Sequence, residues 1–307
     1  MKKICFIGAS TIGSIYGVVF KLAGHSVSFY CRPESLKKYS TPLTCQIINK
    51  HNIIPKGYIY QRQLFSDSNR FDDFELIIVC VRHYQLTEIL SLLNRTKKAH
   101  ILFFCNNWSE LAPFYQTLTH ERVFFGMPRA GGNITEESLL NGGLFEEVIL
   151  GRSSAAFYPD LLDLFDSIQL KPTQIDDMQS WYWIHMASTV AWITGAAKTG
   201  GFIRFSRSWL ALKHAVLVGR EAVSVAVKRG AKMTACKDAN VFKLPSAIAA
   251  TILWCMMRKP IIQAISKGHA TPDDLKAVCY DVLNTANKLN YHTPLLQQAV
   301  PFVKRIK

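Results

Sequence analysis

The chain has 307 residues, 49% apolar and 19% charged, and a formal net charge of +14. That length and apolar content suffice for two cores and exclude a disordered chain. The eight cysteines form neither a CxxC nor a Cys/His zinc spacing, which argues against a metal site and fits reduced thiols in a cytoplasmic protein. The charge is uneven: 18 basic against 15 acidic side chains up to Ile175, net +3, then 18 against 7, net +11. Such an excess suits an anionic ligand. Nucleic acid is disfavoured, because no helix-turn-helix, zinc finger or aromatic-flanked basic motif accompanies it. Residues 182–193 and 248–257 are too short or too interrupted to span a bilayer, and the short apolar run after Lys2-Lys3 predicts no signal peptide.

Residues 3–7 are apolar and β-forming and run into Gly8-Ala9-Ser10-Thr11-Ile12-Gly13. A helical pattern of Ile15, Tyr16, Val19, Phe20 and Leu22 follows and stops at Gly24. This order predicts the opening βα unit of a dinucleotide-binding domain, with Gly8, Ser10, Thr11, Ile12 and Gly13 at the pyrophosphate. Ser10 stands where the fingerprint has its middle glycine. A second strand is expected over 26–31. The position just past it, which faces the adenosine ribose, holds Arg32, a side chain suited to a 2′-phosphate; it predicts NADP rather than NAD.

Residues 43–60 read as a small β-hairpin or meander. The apolar run 76–81 predicts a parallel strand buried on both faces, ending at Arg82, and a helix follows through Leu86, Ile89, Leu90 and Leu93. A strand over 101–105 ends at Asn106. Arg82 and Asn106 therefore fall beyond the carboxyl ends of strands, where a nicotinamide or substrate sits. A helix over 110–118, a strand over 123–126, a turn-rich 127–132, a strand over 147–150, a helix over 159–167 and a strand near 169–173 complete this half. From Asp176 only helical patterns remain, over about 178–198, 207–229, 244–257, 272–290 and 294–305 by their periodicity. Gly200-Gly201, Gly230, Pro245, Pro260, Gly268 and Pro294 separate them. The expected class is α/β: a Rossmann-type domain with a parallel sheet over 1–175, then an all-helical domain over 176–307.

These features together resemble the ketopantoate reductase family. ICFIGASTIGSIYG is similar to its opening strand and turn, and Arg32 stands where its members read the NADP phosphate. LIIVCVRHYQ resembles its third-strand segment, with Arg82 in place of the usual lysine, and FFCNN the segment supplying an asparagine, here Asn106. GMPRAGG resembles the glycine-rich strand end of a divergent branch. WYWIHMASTV, REAVSVAVKRG and GHATPDDL are similar to segments of the helical half.

The resemblance implies NADPH-dependent reduction of a 2-oxo acid such as 2-dehydropantoate to the 2-hydroxy acid, a step of pantothenate biosynthesis. It leaves a homodimer open. The family's catalytic lysine corresponds to His185, which titrates near ~6.5 when unperturbed and can serve as general acid at neutral pH. The two asparagines that follow the lysine correspond to Thr189 and Ile193. The substrate-binding glutamate corresponds to Asp274, with Asp273 the alternative register. Asn106, Thr189 and Asp274 are then the substrate contacts. A protein that keeps the nucleotide site but senses NADP(H) without turnover is the alternative. Lys198 reads as a helix-end cation, Glu221 as half of an ion pair, His269 as structural, and the tryptophans of the helical half as core.

Overall fold

The computed structural model describes residues 1–266 and 271–306, so Gly268 and His269 lie outside the described residues. The chain forms two compact units: Met1–Asn106 with Glu110–Asp176, and Asn107–Ser109 with Asp177–Lys307.

The first unit contains, in chain order, β1 (Lys3–Ile7), α1 (Thr11–Leu22), β2 (Ser26–Tyr30), α2 (Leu36–Tyr39), β3 (Leu43–Asn49), β4 (Ile59–Tyr60), β5 (Leu64–Phe65) and β6 (Leu76–Val79). These are followed by α3 (Leu86–Leu93), β7 (His100–Phe104), α4 (Ala112–Thr117), β8 (Val123–Met127), β9 (Ala130–Ile134), β10 (Leu139–Leu144), β11 (Glu147–Gly151), α5 (Tyr158–Ser167) and β12 (Lys171–Ile175). Eight strands form one sheet in the order β12-β11-β8-β7-β6-β1-β2-β5. Every neighbouring pair in it is parallel except β8 and β11. In register, Ile4 lies beside Val27 on one side and Leu76 on the other. The strand order therefore reverses at β1, the switch point at which such sheets bind ligands.

The core follows from the sequence pattern. Ile15, Tyr16, Val19 and Phe20 of α1 are buried at helical spacing, and Phe6 of β1 stacks on Phe29 of β2 with centroids 5.4 Å apart. Each such side chain contributes about 1.5–3 kcal/mol of burial.

The sequence does not predict the second sheet, of order β4-β3-β10-β9. The 43–60 hairpin is present as antiparallel β3 and β4, but β3 also pairs in parallel with β10. The segment expected to be turn-rich instead contains the end of β8 and the start of β9. Its glycines permit close approach of strands: a Cβ at Gly132 would run into the Asn141 carbonyl oxygen of β10.

The second unit contains α6 (Met178–Thr199), α7 (Phe202–Arg207), α8 (Trp209–Lys228), α9 (Ser246–Met256), α10 (Pro260–Ser266), α11 (Pro272–Lys288) and α12 (Pro294–Lys304). The short α7 and α10 are additions to the expected helices. Helix α6 starts at Asp177, whose carboxylate accepts from the Ser180 N–H (2.9 Å) and hydroxyl (2.8 Å), and stops at left-handed Gly200. Glu221 is not half of an ion pair among the described residues. Its carboxylate accepts from the Leu295 (3.2 Å) and Leu296 (3.0 Å) N–H groups at the start of α12. Trp181 and Trp183 are buried, whereas Trp192, Trp209 and Trp254 are only partly so. No single helix among the described residues is long and apolar enough to cross a membrane.

Candidate functional site

In the first unit the site is built on the carboxyl ends of β1, β6 and β7, which neighbour one another in the sheet. Gly8 has φ +110°, and a Cβ there would strike the Cys80 carbonyl oxygen; one at Gly13 would strike the Gly8 carbonyl oxygen. Both glycines are thus required by close backbone approach. Exposed Ser10 caps α1 with extended backbone and no side-chain capping bond, and no acid lies in the first turn. By helix geometry the N–H groups of Thr11, Ile12 and Gly13 lack an intrahelical acceptor, and with the dipole they suit an anion.

Arg32 follows β2 as expected, but its charge is already engaged. Its Nε lies 3.3 Å from Glu34 Oε1 and its Nη1 3.9 Å from Glu88 Oε1, all three side chains being more than half exposed. Arg82 is exposed after β6; its N–H donates to Gln85 Oε1 (3.2 Å) and its Nη1 to the Tyr84 hydroxyl (3.0 Å). Asn106 sits two residues past β7. Its side-chain Oδ1 is buried and has no hydrogen-bond partner. Such an atom fits a donor brought by a ligand, as the carboxamide of a nicotinamide would be. The turn, the strand ends and this orphaned acceptor together fit a dinucleotide.

Sequence reasoning missed Arg62. It is 4% exposed, and its Nη1 donates to the Ala9 carbonyl (2.8 Å) and the Ser14 hydroxyl (3.3 Å) directly beneath the turn. Nothing local marks it: Ala9 lies 53 residues away in sequence.

In the second unit, between Ser180 and Gly195 only His185, Thr189 and Trp192 of α6 are not fully buried. The helix thus opens one narrow stripe at i, i+4 and i+7. The His185 ring stacks on Trp181, centroids 4.7 Å and planes 13° apart. The Thr189 hydroxyl donates to the Met186 carbonyl (2.7 Å), and Ile193 is buried. Asp274 belongs to the capping box of α11, its Oδ2 accepting from the Thr271 N–H (3.2 Å) and hydroxyl (2.8 Å), while Asp273 is exposed. Lys198 is exposed in the last turn of α6.

A further cluster was not anticipated. The Arg229 guanidinium lies 3.7 Å from the Trp183 ring centroid and 5.1 Å from that of Trp108. The Trp108 carbonyl accepts from Arg229 Nη1 (2.6 Å) and Trp183 Nε1 (3.0 Å). Trp108 and Arg229 also line an open cavity of about 380 Å³ with Ser109, Asp281, Asn284 and Lys288.

The family model described as ketopantoate reductase PanE/ApbA matches residues 4–149, which span the turn, Arg32, Arg82 and Asn106. The Rossmann unit belongs to the ketopantoate reductase family. No curated protein matches the sequence. Among solved structures, 2-dehydropantoate 2-reductase from Geobacter metallireducens GS-15 is 15% identical, covers 99% of this chain and 100% of its own, and has a TM-score of 0.71. D-mandelate dehydrogenase in a ternary complex with NADH and anilino(oxo)acetate is 14% identical over 98% of this chain and 97% of its own, TM-score 0.69. Dimeric ketopantoate reductase from Staphylococcus aureus is 11% identical over 98% of both chains, TM-score 0.67.

At these identities the likeness is one of fold, and it extends over both units. The departures from the family pattern expected from the sequence fall at Ser10, Arg82, His185, Thr189 and Ile193. Of these, Ser10 is accommodated simply, its side chain being exposed at the cap.

Proposed function

We propose that the protein is an NADPH-dependent reductase of a 2-oxo acid, yielding the 2-hydroxy acid. The observation that carries this reading is the Gly8–Gly13 turn, whose glycines no side chain could replace without collision, on the same sheet edge as the orphaned Asn106 Oδ1. Gly8, Ser10, Thr11, Ile12 and Gly13 would hold the pyrophosphate, Arg32 the 2′-phosphate, and Arg82 and Asn106 the nicotinamide end. When bound, the reduced nicotinamide supplies a hydride to the carbonyl carbon.

The protein's own contribution is then a proton and an orientation. An imidazole N–H of His185 protonates the developing alkoxide, and the Trp181 face fixes the plane of that imidazole. Thr189, Asn106 and Asp274 contact the substrate. Buried Ile193, where the family pattern has an asparagine, favours a less hydroxylated acid than 2-dehydropantoate. Residues 1–175 act as the NADP-binding domain and 176–307 as the substrate and dimerisation domain of a cytoplasmic homodimer.

A second reading has its own observation. The Asp274 carboxylate serves a helix cap rather than a substrate hydroxyl, as suits a protein that binds NADP(H) without turning it over. Oxidation of NADPH by purified protein, followed against a panel of 2-oxo acids alongside NADPH fluorescence, separates the two. Binding with turnover supports the reductase, binding alone the sensor, and absence of binding defeats both.

A further inference from the structure

Arg62 carries a charge that no acid among the described residues answers. The residue is only 4% exposed, and it forms no ion pair among the described residues. Its neighbours are carbonyl oxygens and neutral groups: Nη1 on the Ala9 carbonyl, Nη2 on the Thr41 carbonyl (3.3 Å), and the Tyr39 ring 5.3 Å from the guanidinium carbon. Its Nε, also buried, has no hydrogen-bond partner. A buried charge left in this state is costly, and burial pulls the guanidinium pKa down from its usual value. Beside it lies the N-terminus of α1, whose first turn holds no acidic side chain.

Peptide geometry connects the two. The Ala9 carbonyl accepts from Arg62 Nη1 (2.8 Å) and from the Ser14 hydroxyl (3.1 Å). In a planar trans peptide the N–H points opposite to the C=O. With the Ala9 oxygen pinned toward Arg62, the Ser10 N–H is turned away from the guanidinium. The fingerprint normally relies on a glycine at position 10. Here the peptide preceding Ser10 is held instead by two donors from outside the turn.

We propose that Arg62 is a positioning residue for the cofactor pyrophosphate: with the Ser14 hydroxyl it fixes the Ala9–Ser10 peptide so that its N–H points outward, toward the incoming diphosphate. This rests on the reading of the turn as a dinucleotide site, and on nothing about the reaction. Because the diphosphate is common to ADP, NADH and NADPH, Arg62 serves all three alike, unlike Arg32, which serves only the 2′-phosphate.

Calorimetric titration of the full chain with ADP, NADH and NADPH tests this. Arg62→Met is expected to weaken all three by a similar factor, about 10–100-fold for a lost charge-assisted contact, with Arg62→Lys in between. Arg32→Ala is expected to weaken NADPH alone. If Arg62→Met binds ADP as the native protein does, the residue is merely structural and the proposal falls. A loss confined to NADPH also overturns it, by moving Arg62 to the 2′-phosphate.

Should Arg62→Met fail to fold, the native protein decides through its arginine Nε–H nuclear magnetic resonance signals, assigned with Arg62→Lys. The Arg62 signal is expected to shift when ADP is added; a shift of the Ser10 to Gly13 amides without it overturns the proposal. Native protein that binds ADP but reduces no 2-oxo acid removes the reductase reading and leaves this one standing. Native protein that binds no nucleotide overturns both.

Discussion

The His185 imidazole lies against the face of the Trp181 indole, with ring centroids 4.7 Å and planes 13° apart, one helical turn along α6. Such a face holds the ring in one plane and is attractive to its protonated form, so His185 is an oriented donor rather than a freely rotating side chain. His185→Ala is expected to lower kcat by about 10²–10⁴-fold, the usual range for a lost general acid, while NADPH still binds. Trp181→Leu is expected to lower kcat less, because it loosens the donor without removing it. His185→Lys, which restores the family's residue type, is expected to retain turnover. Steady-state kinetics with parallel NADPH fluorescence check all three, and unchanged kcat in His185→Ala removes the residue from the mechanism.

Arg32 offers a second test, because its charge is shared with Glu34 and Glu88. A 2′-phosphate arriving there meets one guanidinium and two carboxylates. Glu34→Gln and Glu88→Gln are each expected to tighten NADPH several-fold and to leave NADH unchanged, exposed pairs being worth about 0.2–1 kcal/mol. Arg32→Ala is expected to bring the two cofactors to similar affinity. Paired titrations give the ratio directly; equal NADPH and NADH affinities in the native protein would contradict the assignment of Arg32.

Elements whose signal is local were readable from the sequence. Strands β1, β6 and β7 are apolar runs, α1 shows helical spacing, and Gly13 announces a turn because the collision it avoids, with the Gly8 carbonyl oxygen, lies within it. Elements defined by distant partners were not. Gly131 and Gly142 have the composition of a loop, yet they allow β9 and β10 to approach closely. Arg62 has the surroundings of a surface residue in sequence and becomes informative only once Ala9, Ser14 and Thr41 are folded around it. His185 and Thr189 could be placed on one helix face from their spacing. That this face is the open stripe of an otherwise buried helix could not, since burial all round erases amphipathic periodicity.

Asp72 predicts acid sensitivity in the first unit. Its carboxylate accepts from the Thr96 hydroxyl and from the N–H groups of Lys97 (3.0 Å), Lys98 (3.0 Å) and Ala99 (3.4 Å) just before β7. Burial alone would raise its pKa, but these donors outweigh it and hold the group at about 2. An unfolded Asp titrates near ~3.9. The stabilisation is therefore complete above that value and is lost as pH falls toward about 2. Asp72→Asn is expected to cost about 1–3 kcal/mol at neutral pH and progressively less below about pH 4. Thermal unfolding of both proteins across that range shows whether the difference narrows; a gap independent of pH would refute the assignment.

Glu221 bears on what an acid in a helical unit of this kind does. Both carboxylate oxygens are used by the Leu295 and Leu296 N–H groups, two of the donors that a helix start leaves without intrahelical acceptors. The negative charge also lies at the positive end of the α12 dipole. Glu221→Ala removes acceptors and charge together and is expected to cost about 1–3 kcal/mol of stability. Glu221→Gln keeps one acceptor oxygen, so its loss is expected to be smaller. Neither substitution touches the open stripe of α6, and kcat measured well below the unfolding temperature is expected to stay at the native value in both. A kcat that falls in Glu221→Gln while thermal stability is kept would instead make Glu221 a residue of the chemistry, and α12 would then owe its start to Pro294 and packing alone.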